Sequence, residues 1–171
     1  MFLRRESVSD REKVGVIVGD AFGKNESEPI EVGLLERLRL CDGWIPELSL
    51  VAVRGDQIVG HAICTRGTVG GNAGLGLGPI AVRPAEQRQG VGSALMHSML
   101  GAADARGEPF VALLGNPDFY SKFGFVASTD HGIQAPEAAW GSFFQVRTLT
   151  AFDQTTSGRF EYAHPFRDLN D

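Results

Sequence analysis

The sequence holds only two cysteines, Cys41 and Cys64, and no Cys-x-x-Cys pair. That scarcity excludes a disulfide framework and reads as two free thiols in a reducing cytoplasm. Positive charge is short as well: 16 Lys and Arg stand against 21 Asp and Glu, for a formal charge of −5. With no basic run beyond Arg4-Arg5, the electrostatic footprint of a nucleic-acid binder is missing. No apolar run approaches the ~18 residues a membrane span needs. The first ten residues, MFLRRESVSD, place no apolar stretch ahead of their charges, so no secretory signal is expected. Repeats, low-complexity tracts and linkers are absent, and 171 residues suit one domain, residues 1–171, with a sizeable core. No G-x-S-x-G elbow and no evident cysteine–histidine arrangement offers a covalent nucleophile. His61, His97 and His164 show no metal-ligand spacing with the cysteines or carboxylates, so no metal is expected.

What is present is a regular alternation of elements. Phe2–Arg5 reads as a first strand, and Ser9-Asp10-Arg11-Glu12 as a capping box. Val14, Val18 and Phe22 then make a helical face, and a second helix is expected from Pro29 to Leu40. Leu48–Val53 and Ile58–Cys64 flank Arg54-Gly55-Asp56-Gln57 as a hairpin. A third run, Leu75–Val82, follows the turn Gly70-Gly71-Asn72. The helix after Gly90 stops near Gly107 and Pro109. Phe110–Leu114 reads as a buried strand, Pro117–Phe123 as a short helix capped by Asn116 and ended by Gly124, and Phe143–Leu149 and Phe160–Ala163 as closing strands. The order β-α-α-β-β-β-α-β-α-β-β predicts an α+β fold with a mixed, mostly antiparallel sheet flanked by helices.

Residues 83–96, RPAEQRQGVGSALM, raise the functional question. Two glycines at the front of a helix cost about 1 kcal/mol each relative to alanine. Glycine is useful where another molecule must approach the backbone, and the first N–H groups of a helix lack internal partners and carry partial positive charge. Gly90 and Gly92 with Arg88 therefore suit an anion cradle for phosphate or pyrophosphate; the plainer reading is close helix packing with a solvated Arg88. Three other motifs fail on context. Gly76-Leu77-Gly78-Pro79-Ile80-Ala81 matches a loose dinucleotide pattern but reads as strand, and Pro84 stops any helix that would follow. Gly23-Lys24 lacks the upstream glycine of a phosphate-binding loop. Arg54-Gly55-Asp56 is adhesion-like, yet Gly-Asp in a hairpin is ordinary turn chemistry.

Gln87-x-x-Gly90-x-Gly92, after a strand and opening an apolar helix, resembles the acetyl-CoA motif Q/R-x-x-G-x-G/A of the GCN5-related N-acetyltransferase (GNAT) superfamily. Tyr120-Ser121-Lys122-Phe123-Gly124-Phe125 looks like that family's Y-x-K/R-x-G-F ending, at a matching separation. Leu50–Val53, Ile58–His61 and Leu77–Val82 resemble the YhbS-like N-acetyltransferase branch. The resemblance covers roughly Phe2 to Val126 well and the remainder loosely. One departure is Gly115-Asn116-Pro117 where that branch has Gly-Asp-Pro: the helix-capping oxygen is kept and the acidic charge is lost.

The resemblance implies a sheet splayed between its fourth and fifth strands, here Leu75–Val82 and Phe110–Leu114, with acetyl-CoA as co-substrate in the gap. Gly78-Pro79 suits a bulge in the first of these. By carry-over, Ile80, Ala81 and Val82 would meet the pantetheine arm and thioester. Gln87, Arg88, Gln89, Gly90, Val91, Gly92 and Ser93 would hold the pyrophosphate, and Asn116 a pantetheine amide. The implied reaction is direct attack of a primary amine, of a small molecule or peptide, on acetyl-CoA in a ternary complex. Tyr120 matches the general acid, its phenol near 10 and a thiol near 8.5 being close enough for proton transfer; its alternative is packing beside Phe119, Phe123 and Phe125. Leu75–Val82 carries no acidic residue to act as base, which leaves Glu28, Asp130, His131, Glu137 or water. A non-catalytic CoA-binding sensor is the other reading, and a homodimer is left open.

Overall fold

The structure is a computed structural model and describes residues 1–23 and 29–169. β1 (Phe2–Arg5), β2 (Trp44–Arg54), β3 (Gln57–Val69) and β4 (Asn72–Val82) form an antiparallel meander. β5 (Phe110–Leu114) lies parallel to β4, and β8 (Phe144–Thr148) returns antiparallel beside β5 with the two-residue β6 (Val126–Ala127) at its far edge. β7 (Ile133–Gln134) pairs in parallel with β9 (Gly158–Glu161), which also pairs with the end of β3. The helices are α1 (Arg11–Phe22), α2 (Ile30–Leu38), α3 (Val91–Ala105) and the single turn α4 (Pro117–Tyr120). This is the mixed, mostly antiparallel sheet expected from the element order. Among the described residues, no helix is long and apolar enough to cross a membrane.

The period-2 alternation of β2 assigns the layers. Leu50 and Ala52 join Leu95, Met96 and Met99 of α3 on one face. Val51 and Val53 join Val14, Ile17 and Val18 of α1 and Leu34, Leu35 and Leu38 of α2 on the other. Under the second half of the chain, Phe110, Phe144 and Phe160 form a third, aromatic cluster with Val69 and Val146. Burying a side chain of this size stabilises by about 1.5–3 kcal/mol, so each sheet face holds a helix through several such contacts.

Several expected boundaries shift. The strands β2 to β4 each extend beyond their apolar runs, and β9 begins at Gly158 rather than Phe160, because pairing with β7 recruits Gly158 and Arg159. α4 tightens into a 3₁₀ turn over Ser121–Phe123 before Gly124. The capping box lies at Ser7 and Asp10, not Ser9 and Glu12: a 3₁₀ turn over Val8–Asp10 precedes α1, and Asp10 accepts from the Ser7 N–H at 2.7 Å. Arg4 donates to both Asp10 oxygens, at 2.6 and 2.9 Å, and holds that carboxyl well below its usual range. That pair ties β1 to the 3₁₀ turn ahead of α1.

Candidate active site

β4 and β5 pair only at Leu75–Val111 and Gly76–Ala112, after which β4 continues alone. On its other edge β4 stays bonded to β3, with Ile80 opposite Ala62 and Leu77 opposite Cys64. Two residues, Gly78 and Pro79, thus oppose the single Ile63. This is the expected bulge, and Gly78 takes it up with a φ of +148°. The sheet therefore opens where Ile80, Ala81 and Val82 lie.

Two cavities meet at that opening. The first, of about 650 Å³, is lined by Ile80, Ala81, Val82, Gln87, Arg88, Gly90, Gly92 and Ser93, together with Phe119 and Lys122. No carboxylate lines it among the described residues, whereas Arg88 and Lys122 both do. Gly90 is the N-cap of α3 with a φ of +83°, just ahead of the helix rather than in it, and a Cβ there would enter open space. Gly92 lies within the helix, where a Cβ would touch only Phe119 and Val82, at 3.6 and 3.8 Å. Of the expected residues, Gln89 and Val91 do not line the cavity; Val91 packs into the core under α3. Gln87 donates its side-chain amide to the Val82 carbonyl at 3.2 Å and ties the loop to the strand. Asn116 caps α4 through the Asp118 N–H at 3.0 Å and lines neither cavity.

The second cavity, of about 560 Å³, shares Phe22 and Ile80 with the first. Tyr120 lines it, together with Gly78, Pro79, Leu114, Trp140, Tyr162, Phe166 and the charged residues Glu31, Arg159, Glu161 and Arg167. The Tyr120 ring packs edge-on against Phe119 and Phe125, at 4.9 and 5.9 Å between centroids, and burial pushes its phenol pKa up. Of the candidate bases, Asp130, His131 and Glu137 line neither cavity, and Glu28 lies outside the described residues. His131 instead stacks edge-on with Phe152 at 5.6 Å. The carboxylates at the cavity are Glu31 and Glu161, and neither belongs to a sequence motif that would single it out. Burial raises the Cys64 thiol far above its usual range, which leaves it protonated and unreactive.

Arg54 carries a role that its Arg-Gly-Asp setting concealed. Its guanidinium reaches across from the β2–β3 turn to form an ion pair with Glu86, and donates to Gln89 Oε1 at 2.9 Å. The hairpin thereby braces the loop ahead of Gly90. Both partners are partly exposed, so the pair itself contributes at most about 1 kcal/mol. For the acetyl-CoA binding that the resemblance implies, Arg54→Ala should raise the Kd about 2- to 5-fold and leave that for S-acetylpantetheine, which has no pyrophosphate, unchanged. Calorimetric titration of both ligands separates this bracing from a general loss of fold.

The comparisons with known proteins agree with this geometry. A family model described as an acetyltransferase (GNAT) domain matches residues 46–127. The uncharacterized N-acetyltransferase YjhQ of Escherichia coli is 30% identical over 169 residues, covering 92% of this chain and 89% of its own. YhbS of the same organism is 30% identical over 152 residues, covering 87% of each. The crystal structure of E. coli YhbS in complex with CoA superposes with a TM-score of 0.85 at 25% identity, over 97% of this chain and 91% of that one. A GNAT family acetyltransferase from Brucella melitensis in complex with acetyl-CoA gives 0.79 at 26% identity, over 96% and 97%. With a sheet that opens between β4 and β5, a cavity at the head of α3 lined by Arg88 and Lys122, and relatives of this kind, the chain belongs to the GNAT family of N-acetyltransferases, and within it resembles YhbS.

Proposed function

We propose that this chain, working as one domain over residues 1–171, transfers the acetyl group of acetyl-CoA to a primary amine by direct attack in a ternary complex. The observation that carries the reading is the pair of joined cavities. One is cationic and headed by the N-terminus of a 15-residue helix, and the other is aromatic and holds a phenol. The helix N–H groups left open by Gly90 and Gly92, with Arg88 and Lys122, suit the pyrophosphate. The pantetheine arm would run along β4 past Val82 and Ile80 toward the opening, bringing the thioester beside Tyr120. The neutral amine attacks the thioester carbonyl, the carbon–sulfur bond breaks, and the Tyr120 hydroxyl gives its proton to the departing thiolate. The proton shed by the amine leaves through water or through Glu31, and the Tyr120 phenolate regains a proton from water as CoA departs.

CoA and acetyl-CoA should raise the melting temperature, and NAD and ATP much less. A ligand at 100 times its Kd adds about 2.7 kcal/mol, a shift of several degrees for a chain of this size. No shift at millimolar CoA would remove the co-substrate from the account. Thiol release in the presence of amines separates transfer from a CoA sensor, which binds equally well and releases nothing.

A further inference from the structure

The second cavity also limits which amine is accepted. Its volume, about 560 Å³, falls in the range that encloses a drug-sized molecule. Its walls are mainly aromatic and aliphatic, with Trp140, Phe166 and Leu34 among them. Among the described residues, four charged side chains line it, two of each sign. Glu161 and Arg167 answer each other at 2.8 Å. Arg159, on β9, and Glu31, in the first turn of α2, make no ion pair among the described residues. A site for a polyamine or an aminoglycoside needs a surplus of carboxylates, and among the described residues this lining has none.

We propose that the acceptor is a primary amine on an aromatic or aliphatic body that also carries a carboxylate, with Arg159 receiving the anion and Glu31 facing the ammonium. The acetyl-transfer reading is needed only to call this molecule the acceptor; the binding claim stands on the lining. The apolar body is buried against Trp140 and Phe166, and the two charges fix its orientation. Arg159 is then a specificity residue: removing it costs the carboxylate-bearing amine and spares the analogue that lacks the carboxylate.

The two tryptophans are Trp44 and Trp140, and only Trp140 lines this cavity, so a Trp44→Phe background turns its fluorescence into a direct reporter. With CoA bound, titrate 4-(2-aminoethyl)benzoate, phenethylamine and spermidine. The benzoate should bind about tenfold or more tightly than either of the others, the worth of one charge-assisted hydrogen bond. Arg159→Met should reduce that preference over phenethylamine to about threefold or less, with phenethylamine itself unchanged as the control for folding. Tighter binding of spermidine, a preference that survives Arg159→Met, or no Trp140 response to any of the three overturns the proposal. Arg159-dependent binding of the benzoate without thiol release sinks the acetyl-transfer reading and upholds the assignment of the cavity.

Discussion

Gly92→Glu should abolish measurable CoA binding while the protein stays folded and as stable as the parent. Gly92 occupies the first turn of α3 and borders the cavity carrying Arg88 and Lys122. A carboxylate there meets a pyrophosphate at close range; two unit charges 4 Å apart near a protein surface repel by about 4 kcal/mol, roughly a thousandfold in affinity. Folding has no reason to suffer. The new Cβ makes only ordinary contacts, glutamate outranks glycine in a helix by up to about 1 kcal/mol, and a negative charge is favourable in a first turn. Gly92→Ala, which adds the Cβ without the charge, should keep affinity within a few-fold. Gly90 is the poorer probe, because its φ of +83° would strain any side chain. Calorimetry with CoA and a thermal melt on each variant decide the matter: a Gly92→Glu protein that binds as tightly as the parent contradicts the anion cradle.

Tyr120→Phe should lower kcat by about 10²- to 10⁴-fold, the usual worth of a general acid, with little change in the Kd for acetyl-CoA. The ring and its contacts with Phe119 and Phe125 are retained, so the loss falls on the transition state. The pH profile adds a sign. Desolvation raises the Tyr120 phenol above its ordinary value, so the acid form persists through neutrality. Activity is then lost only as the pH climbs past the ordinary phenol range near 10. That alkaline limb should vanish in Tyr120→Phe. An unchanged kcat and an unchanged limb would leave Tyr120 as packing and transfer its proton to water or to Tyr162, which lines the same cavity.

What could be read in the sequence was local. β5 lies where its uninterrupted apolar run placed it, Phe110–Leu114, and α3 begins immediately after Gly90. The loop and helix around Gly90 and Gly92 are specified by adjacent residues, so a one-dimensional reading reaches them. The second cavity is different. Glu31, Trp140, Arg159 and Tyr162 are drawn from α2 and from the chain after β7, and only the folded sheet brings them together. Arg54 meets Glu86 and Gln89 across more than thirty residues, which turn chemistry alone does not announce. β6 and β7 are two residues each, too short for any periodicity. The start of α1 differs for a related reason: Asp10 accepts from Arg4 of β1 and from the Ser7 N–H, so the capping box lies at Ser7 and Asp10 and not at the local Ser9–Glu12 pattern.

The most direct test of the account is a crystal structure of this protein with acetyl-CoA. Pyrophosphate oxygens should lie within hydrogen-bond distance, about 2.7–3.2 Å, of backbone N–H groups between Gly90 and Ser93, and the acetyl carbonyl should lie in the opening between β4 and β5 on the same side as Tyr120. A pyrophosphate bound away from the head of α3, or a thioester remote from Tyr120, would contradict it.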